Sequence, residues 1–243
     1  MLEQLKKIVR YVRFYFSTAV LGQHLKNKQF TLVANDCWGR QVYQGVYVPY
    51  QTPFIGLFLD DIDYLRLLQN FSWYISQKLI FIEKSRYDRM NKLKNEYPHK
   101  FPIGLLGGDI EIYFLHYKNE EEAFEKWERR KARMCWDNIF FVLKTNSPES
   151  ILTFLSLPFE KKICFTNQKK YSSYDGVVYT PISNTLFSEG PVLSFTYFNA
   201  VNWLNGKDWH IRSFVRRVLM YICYVDKYTI RFFERTRKRI KIY

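Results

Sequence analysis

Short apolar runs alternate with amphipathic stretches from residue 30 to residue 180, and this alternation restricts the fold more than any other feature of the chain. The runs FTLVA (30–34), FIGLFL (54–59), LIFIE (79–83), FPIGLL (101–106), IEIYFL (110–115), IFFVLK (139–144), KICFT (162–166) and GVVYT (176–180) have the length and composition of strands. Helical spacing occupies about 61–76, about 119–136 and the segment from 148. Strand and helix in turn predict an α/β domain whose largely parallel sheet is flanked by helices. Ligands of such domains sit outside the carboxyl ends of the strands. The stretch NDCWGR (35–40), directly behind the first run, therefore falls at the ligand edge. The segments 167–176 and 183–191 read as loops.

Charge divides the chain into three regions. Residues 1–28 hold six Lys/Arg against one acid and residues 207–243 hold eleven against three, so of a net charge of +14 almost nothing belongs to the body between them. The expected organisation is a basic amphipathic helix over 1–28, an α/β domain over 29–206 and a basic helical extension over 207–243. Such ends suit an anionic membrane surface, through residues 1–16 and 228–243, where each basic residue contributes about 1 kcal/mol. They equally suit packing on the domain with the charges in water. Nucleic acid ranks last, because no RNA- or DNA-binding module is recognisable. The N-terminal stretch mixes basic with apolar residues and lacks a small-residue cleavage site, so it does not read as a secretory signal. No apolar run approaches the roughly 20 residues of a membrane-spanning helix. Cys37, Cys135, Cys164 and Cys223 show neither a CxxC pair nor zinc-site spacing, and read as reduced thiols. A cytoplasmic protein, peripheral at the inner membrane if its ends bind lipid, is the expectation.

Four constellations carry candidate chemistry. In the first, Asn35 and Asp36 stand where a strand gives way to a helix and are first of all caps for free amide hydrogens. Cys37 at the same turn is a conceivable nucleophile, since a helix N-terminus favours a thiolate, but cysteine more often simply packs. The second is LLGGDIEIYFLH (105–116): Gly107 and Gly108 read as a tight turn, Asp109 and Glu111 as carboxylates on one strand face, and His116 falls on the opposite parity. Neither GxxxxGK[ST] nor GxGxxG is present, so this is no phosphate-binding loop. The third is the charged segment 119–138. Asn119 reads as a cap, and Glu122 with Lys126 and Glu125 with Arg129 as ordinary i, i+4 pairs. Trp127, Arg130 and Met134 share a stripe there, and an Arg beside a Trp suits an anionic group. In the fourth, Asp61 and Asp63 form a DxD of the kind that holds a divalent ion on a diphosphate. Three letters are weak support, and capping by Asp60 or Asp61 with Asp63 as a first-turn acid explains them as well.

The blocks ANDCWGRQVYQ, PYQTPFIGLFL, YPHKFPIGLLGGDIEIYFLHY, EEEAFEKWERRKARMCWDNIFF and LPFEKKICFT, in this order over about residues 26–180, resemble the bacterial domain-of-unknown-function family numbered nineteen-nineteen, often labelled exopolysaccharide biosynthesis protein. The family pattern reads NNCWGG where this chain has NDCWGR. Asp36 and Arg40 thus depart from it, whereas Asn35, Cys37, Trp38 and Gly39 match, as do Gly107, Gly108, Asp109, Glu111, His116, Trp127, Arg130, Trp136, Asp137 and Asn138. The resemblance implies a three-layer α/β fold and a link to surface polysaccharide, whether exopolysaccharide, capsule or lipopolysaccharide. The expected activity is a transferase acting on a sugar nucleotide or lipid-linked sugar. In that reading Asp109, Glu111 and His116 supply acid–base chemistry. The carbohydrate or sugar nucleotide lies against Asn35, Trp38, Gly39, Gly107, Gly108, Trp127, Arg130, Trp136, Asp137 and Asn138. No metal ligands are assigned and no cofactor is specified. The alternatives are a non-catalytic glycan-binding or assembly protein docked at the inner membrane, and an acyltransferase or hydrolase using Cys37 with His116.

Overall fold

The computed structural model describes residues 25–97, 99–180 and 197–211. Most of both basic ends, the expected loop 183–191 and Cys223 lie outside the described residues. In chain order the elements are β1 (Thr31–Ala34), α1 (Trp38–Gly45), α2 (Asp61–Gln69), α3 (Phe71–Ser76), β2 (Leu79–Ile82), α4 (Asp88–Glu96), β3 (Ile103–Leu106), β4 (Ile110–Tyr113), α5 (Glu120–Lys131), β5 (Ile139–Lys144), α6 (Pro148–Ser156), β6 (Lys162–Thr166), a 3-10 turn (Lys169–Tyr171), β7 (Val177–Tyr179) and α7 (Ala200–Leu204).

Four of the seven strands among the described residues form a parallel sheet in the order β1-β5-β6-β7. Strand alternation sends Leu32, Ala34, Phe140, Val142, Ile163, Phe165 and Val178 into one core with Trp38 and Val42 of α1 and Val201 and Trp203 of α7. The residues between them, Val33, Phe141, Leu143, Cys164 and Val177, enter a second core with Tyr64, Leu65 and Leu68 of α2 and Ile151 and Phe154 of α6. Both faces are covered, which is why these strands are apolar without interruption. The fold is α/β.

The remaining strands make a second sheet, β2-β3-β4, antiparallel throughout. One of its faces contributes Leu79, Leu106, Ile110 and Ile112 to the second core, and the other packs Ile103 and Tyr113 against Met90 of α4. The run 54–59 was expected as a strand and forms only an isolated bridge, Phe58 to Tyr113. Gly56, at φ 73°, interrupts it. What results is a strap: Leu59 donates to the Asn35 carbonyl (2.9 Å) while Phe58 exchanges hydrogen bonds with Tyr113 (2.9 Å each), joining the exit of β1 to β4.

Expected caps are present. Asn119 accepts from Glu122 N and Asp60 from Ile62 N, and Ser147, not foreseen as a cap, accepts from Ser150 N. The pairs Glu122–Lys126 (2.5 Å) and Glu125–Arg129 (2.9 Å) form on α5. The helical stretch 61–76 is two helices, parted at Asn70 (φ −140°, ψ 53°). Helices α4 and α7 are additional to those expected, and α1 is the helix expected behind Asn35 and Asp36. The sequence of α1, WGRQVYQG, has two glycines and a poor intrinsic helix propensity, and burial of Trp38, Val42 and Tyr43 offsets it.

Candidate functional site

At the carboxyl ends of β1 and β5 the polar side chains converge. Asn35 is buried, and its carboxamide stitches the two strand exits together: Oδ1 accepts from Lys144 N (2.9 Å) and Nδ2 donates to Lys144 O (3.1 Å). The same Nδ2 reaches Asp61 Oδ1 at 3.3 Å. The hydroxyl of Thr145 donates to the other oxygen of Asp61. Asp61, at the start of α2, is thus held across the gap between β1 and β5. Burial raises its carboxyl above the ordinary carboxylate range, although hydrogen bonds from Thr145, Ser150 and Asn35 act in the opposite sense. Among the described residues it has no ion-pair partner.

Three cations are each paired with an acid close to Asp61 in the chain or on the neighbouring strand exits. Lys144 Nζ lies 3.8 Å from Asp36 Oδ2, and Arg89 pairs with Asp60, the cap of α2. Arg86 meets Asp63 Oδ1 at 2.6 Å and also donates to the Asp109 carbonyl. Asp63 is fully buried, takes further hydrogen bonds from Glu111 N (3.2 Å) and Tyr87 OH (3.3 Å), and is raised by burial against the pull of Arg86. Asn91 of α4 clamps the loop that carries Arg86, bonding Ser85 N and Ser85 O at 2.8 Å each.

This geometry revises the DxD. Two positions along a helix are about 200° apart, so Asp61 turns to the parallel sheet and Asp63 to the antiparallel one. They do not converge on one ion. Among the described residues no group of three His, Cys, Asp or Glu side chains is arranged to hold a metal.

The other sequence candidates scatter. Glu111 is buried, accepting from Ser85 Oγ (2.5 Å), Tyr113 OH (2.7 Å) and Arg86 N (2.8 Å), so its oxygens are already occupied by the protein. Asp109 is not on that strand face. It belongs to the turn before β4, where Oδ2 takes Tyr74 OH (3.1 Å) and Arg66 Nη1 (3.3 Å). Gly107 and Gly108 form this turn at φ 64° and 87°. His116 follows the far end of β4, its N–H on the Gly56 carbonyl (3.1 Å), and its imidazole is lowered chiefly by desolvation and then by Arg40 and His99.

Cys37 does reach the candidate edge, but its Sγ donates to the Leu57 carbonyl (3.7 Å). Burial pushes the thiol up to about 12, Asp36 adds to the shift, and Arg40 and Lys144 oppose it without prevailing. That is the reverse of an activated thiolate. Asp36 stands one residue before the N-cap, Cys37, and accepts from Trp38 N, the first amide of α1 (2.8 Å).

Both expected sugar platforms of the interior are core residues. Trp38 packs among Phe165, Phe198 and Trp203, and Trp127 between Phe54 and Phe114, so neither ring faces a ligand. Gly39 lies under Leu32, within the same core. Arg130 donates to Tyr117 OH (2.5 Å) and lies over Tyr50 (5.0 Å), away from Trp127 as a stacking partner. Trp136, Asp137 and Asn138 precede β5 and therefore occupy the edge opposite to Asn35. Asn138 ties β5 to the segment before β1 by donating to the Gln29 carbonyl (2.7 Å).

Residues 8–205 match the family model described as Domain of unknown function (DUF1919). The chain belongs to the DUF1919 family. It is also 29% identical, over 210 residues, to a protein of Haemophilus influenzae (strain ATCC 51907 / DSM 11121 / KW20 / Rd) described as uncharacterized, covering 85% of this chain and 95% of that one. Sequence reading missed Lys144, Thr145, Arg86, Arg89 and Asn91 of this DUF1919 protein. Asp61 was visible only as half of a short motif whose capping explanation sufficed.

Proposed function

We propose that this protein acts in surface-polysaccharide synthesis as a transferase on a sugar nucleotide or lipid-linked sugar, with Asp61 as its acid–base group. The observation behind this reading is the half-buried carboxyl of Asp61 between the exits of β1 and β5, held by Asn35 and Thr145 and raised by burial. Burial that raises a carboxyl favours its protonated form, as a general acid requires, and the carboxyl edge is where α/β sheets bind ligands. Lys144 and Arg89, steadied by Asp36 and Asp60, supply positive charge for a diphosphate. The basic ends, residues 1–16 and 228–243, suit docking on the anionic inner-membrane face, where a lipid-linked substrate is found.

The test is thermal unfolding against UDP-, GDP-, dTDP- and CMP-sugars with and without magnesium or manganese, since a ligand of the native state raises its apparent stability. A shift with one donor, weakened by Arg89→Gln or Lys144→Gln, supports the reading. In Asp61→Asn the shift should persist while release of the nucleotide slows by about a hundredfold or more. No shift with any donor would replace the transferase by the non-catalytic glycan-binding protein. Cosedimentation of the full chain with anionic vesicles, lost on removal of 228–243, tests the membrane part separately.

A further inference from the structure

At the amino edge of the parallel sheet lies a groove of about 680 Å³ between α3 and the entries of β5 and β6. Its size is that of a small-ligand site, roughly 300–1,000 Å³. Its floor is a row of aromatic rings in consecutive contact. Trp136 leans on Phe71 (5.9 Å between centroids), Phe71 meets Phe141 edge-on (5.3 Å), and Phe141 stacks on Phe159 (4.0 Å). The outermost ring, Trp136, is 49% exposed. A large ring left in water at the mouth of a concavity is an available apolar face rather than packing.

The rim has the opposite character. Gln69, Asn70, Asp137 and Glu160 line the groove, and among the described residues their side chains have no hydrogen-bond or ion-pair partner. The neighbouring cation is already engaged: Lys161 donates to Asn138 Oδ1 (2.8 Å) and covers the Phe140 ring. What remains is a set of planar acceptors and amides around aromatic faces, negative on balance. A diphosphate is repelled there. A ligand with apolar C–H faces and many outward hydroxyl donors fits both halves, and that combination is a sugar chain.

We propose that this groove is a binding site for an uncharged oligosaccharide, one sugar stacking on Trp136 and its hydroxyls donating to Asp137 and Glu160. The site is separate from the Asp61 edge, because β5 runs between the two and its six residues span roughly 20 Å at strand rise. It requires neither the transferase nor a nucleotide donor. Such a groove holds a glycan at a distance from the carboxyl edge.

The experiment is calorimetric titration of the full chain with maltohexaose, cellohexaose, chitohexaose and a dextran oligosaccharide. At least one should bind, Trp136→Ala should weaken it by roughly tenfold or more, and Trp136→Phe should retain most of the affinity. Trp73→Ala, an exposed ring outside the groove, and Lys144→Gln, at the other edge, should leave it unchanged. The proposal is overturned if none of the four binds. It is also overturned if Trp136→Ala, with an unchanged unfolding midpoint, binds as the parent does. Oligosaccharide binding without any response to sugar nucleotides would sink the transferase alone; the reverse would sink the groove alone.

Discussion

Asp61 and Asp63 are two residues apart and answer to different surroundings. Asp63 has a guanidinium at 2.6 Å, whereas Asp61 has the uncharged donors Asn35, Thr145 and Ser150. The folded-state pKa of Asp61 is raised above its ordinary 3.8, so the native state favours the protonated form. Below that ordinary value both folded and unfolded chains are protonated and the group is neutral toward stability. As pH climbs from that ordinary value toward the folded-state pKa, the unfolded chain ionises first and the penalty on folding grows, levelling off once the folded group also ionises. Asp61→Asn cannot ionise, so its stability relative to the parent should increase between pH 4 and pH 7 in urea unfolding. A flat or falling difference would contradict the assignment. Cys37 gives a second prediction at this scale. With a thiol at about 12, its alkylation by iodoacetamide at pH 8 should be slower than that of free cysteine by at least about a hundredfold, read by mass spectrometry.

At the scale of the element, the turn between β3 and β4 and the first turn of α2 position the site. Gly107 and Gly108 both have positive φ, but only Gly107 is crowded: an added Cβ would come within 2.9 Å of the Tyr74 ring, while at Gly108 it meets nothing. Gly108→Ala should therefore cost about 1 kcal/mol from backbone conformation alone. Gly107→Ala should cost roughly 2 kcal/mol or more, because Tyr74, which holds Asp109, must also move. Equal midpoints for the two variants in denaturant titration would refute this. The pair GG was legible as a turn. That its tightness depends on Tyr74, 33 residues earlier, was not, since contact across that distance exists only once β3 and α3 pack together. For α1 the junction behind β1 was legible, but its glycines argue against a helix until Trp38 and Tyr43 are buried.

Over the whole molecule, α2 joins the two sheets alongside the hydrogen-bonded strap of residues 58 and 59. Its first turn binds the parallel sheet through Asp61 and the antiparallel sheet through Asp63, with Arg86 between Asp63 and Glu111 (2.6 and 3.7 Å). Arg86→Met leaves two buried carboxylates without their cation and should destabilise by about 3–5 kcal/mol, with Arg86→Lys restoring part of it. The loss should shrink in acid, where a protonated carboxyl needs no cation. A variant within about 0.5 kcal/mol of the parent would show that the network does not join the sheets.

The sequence by itself determined the α/β class, seven of its strands to within a residue or two, and the capped helices α2, α5 and α6, because these depend on local periodicity and on side chains that satisfy amides three residues away. It also determined the family, through blocks of matching order. Only the tertiary structure decided which strands pair in parallel and which form the second sheet, since apolar runs of similar length carry no record of their partner. It likewise decided which polar residues meet. Asn35, Asp61 and Lys144 converge because β1 and β5 are adjacent, and Trp38 and Trp127 leave the surface because the cores need their rings. Spacing along the chain contains none of that.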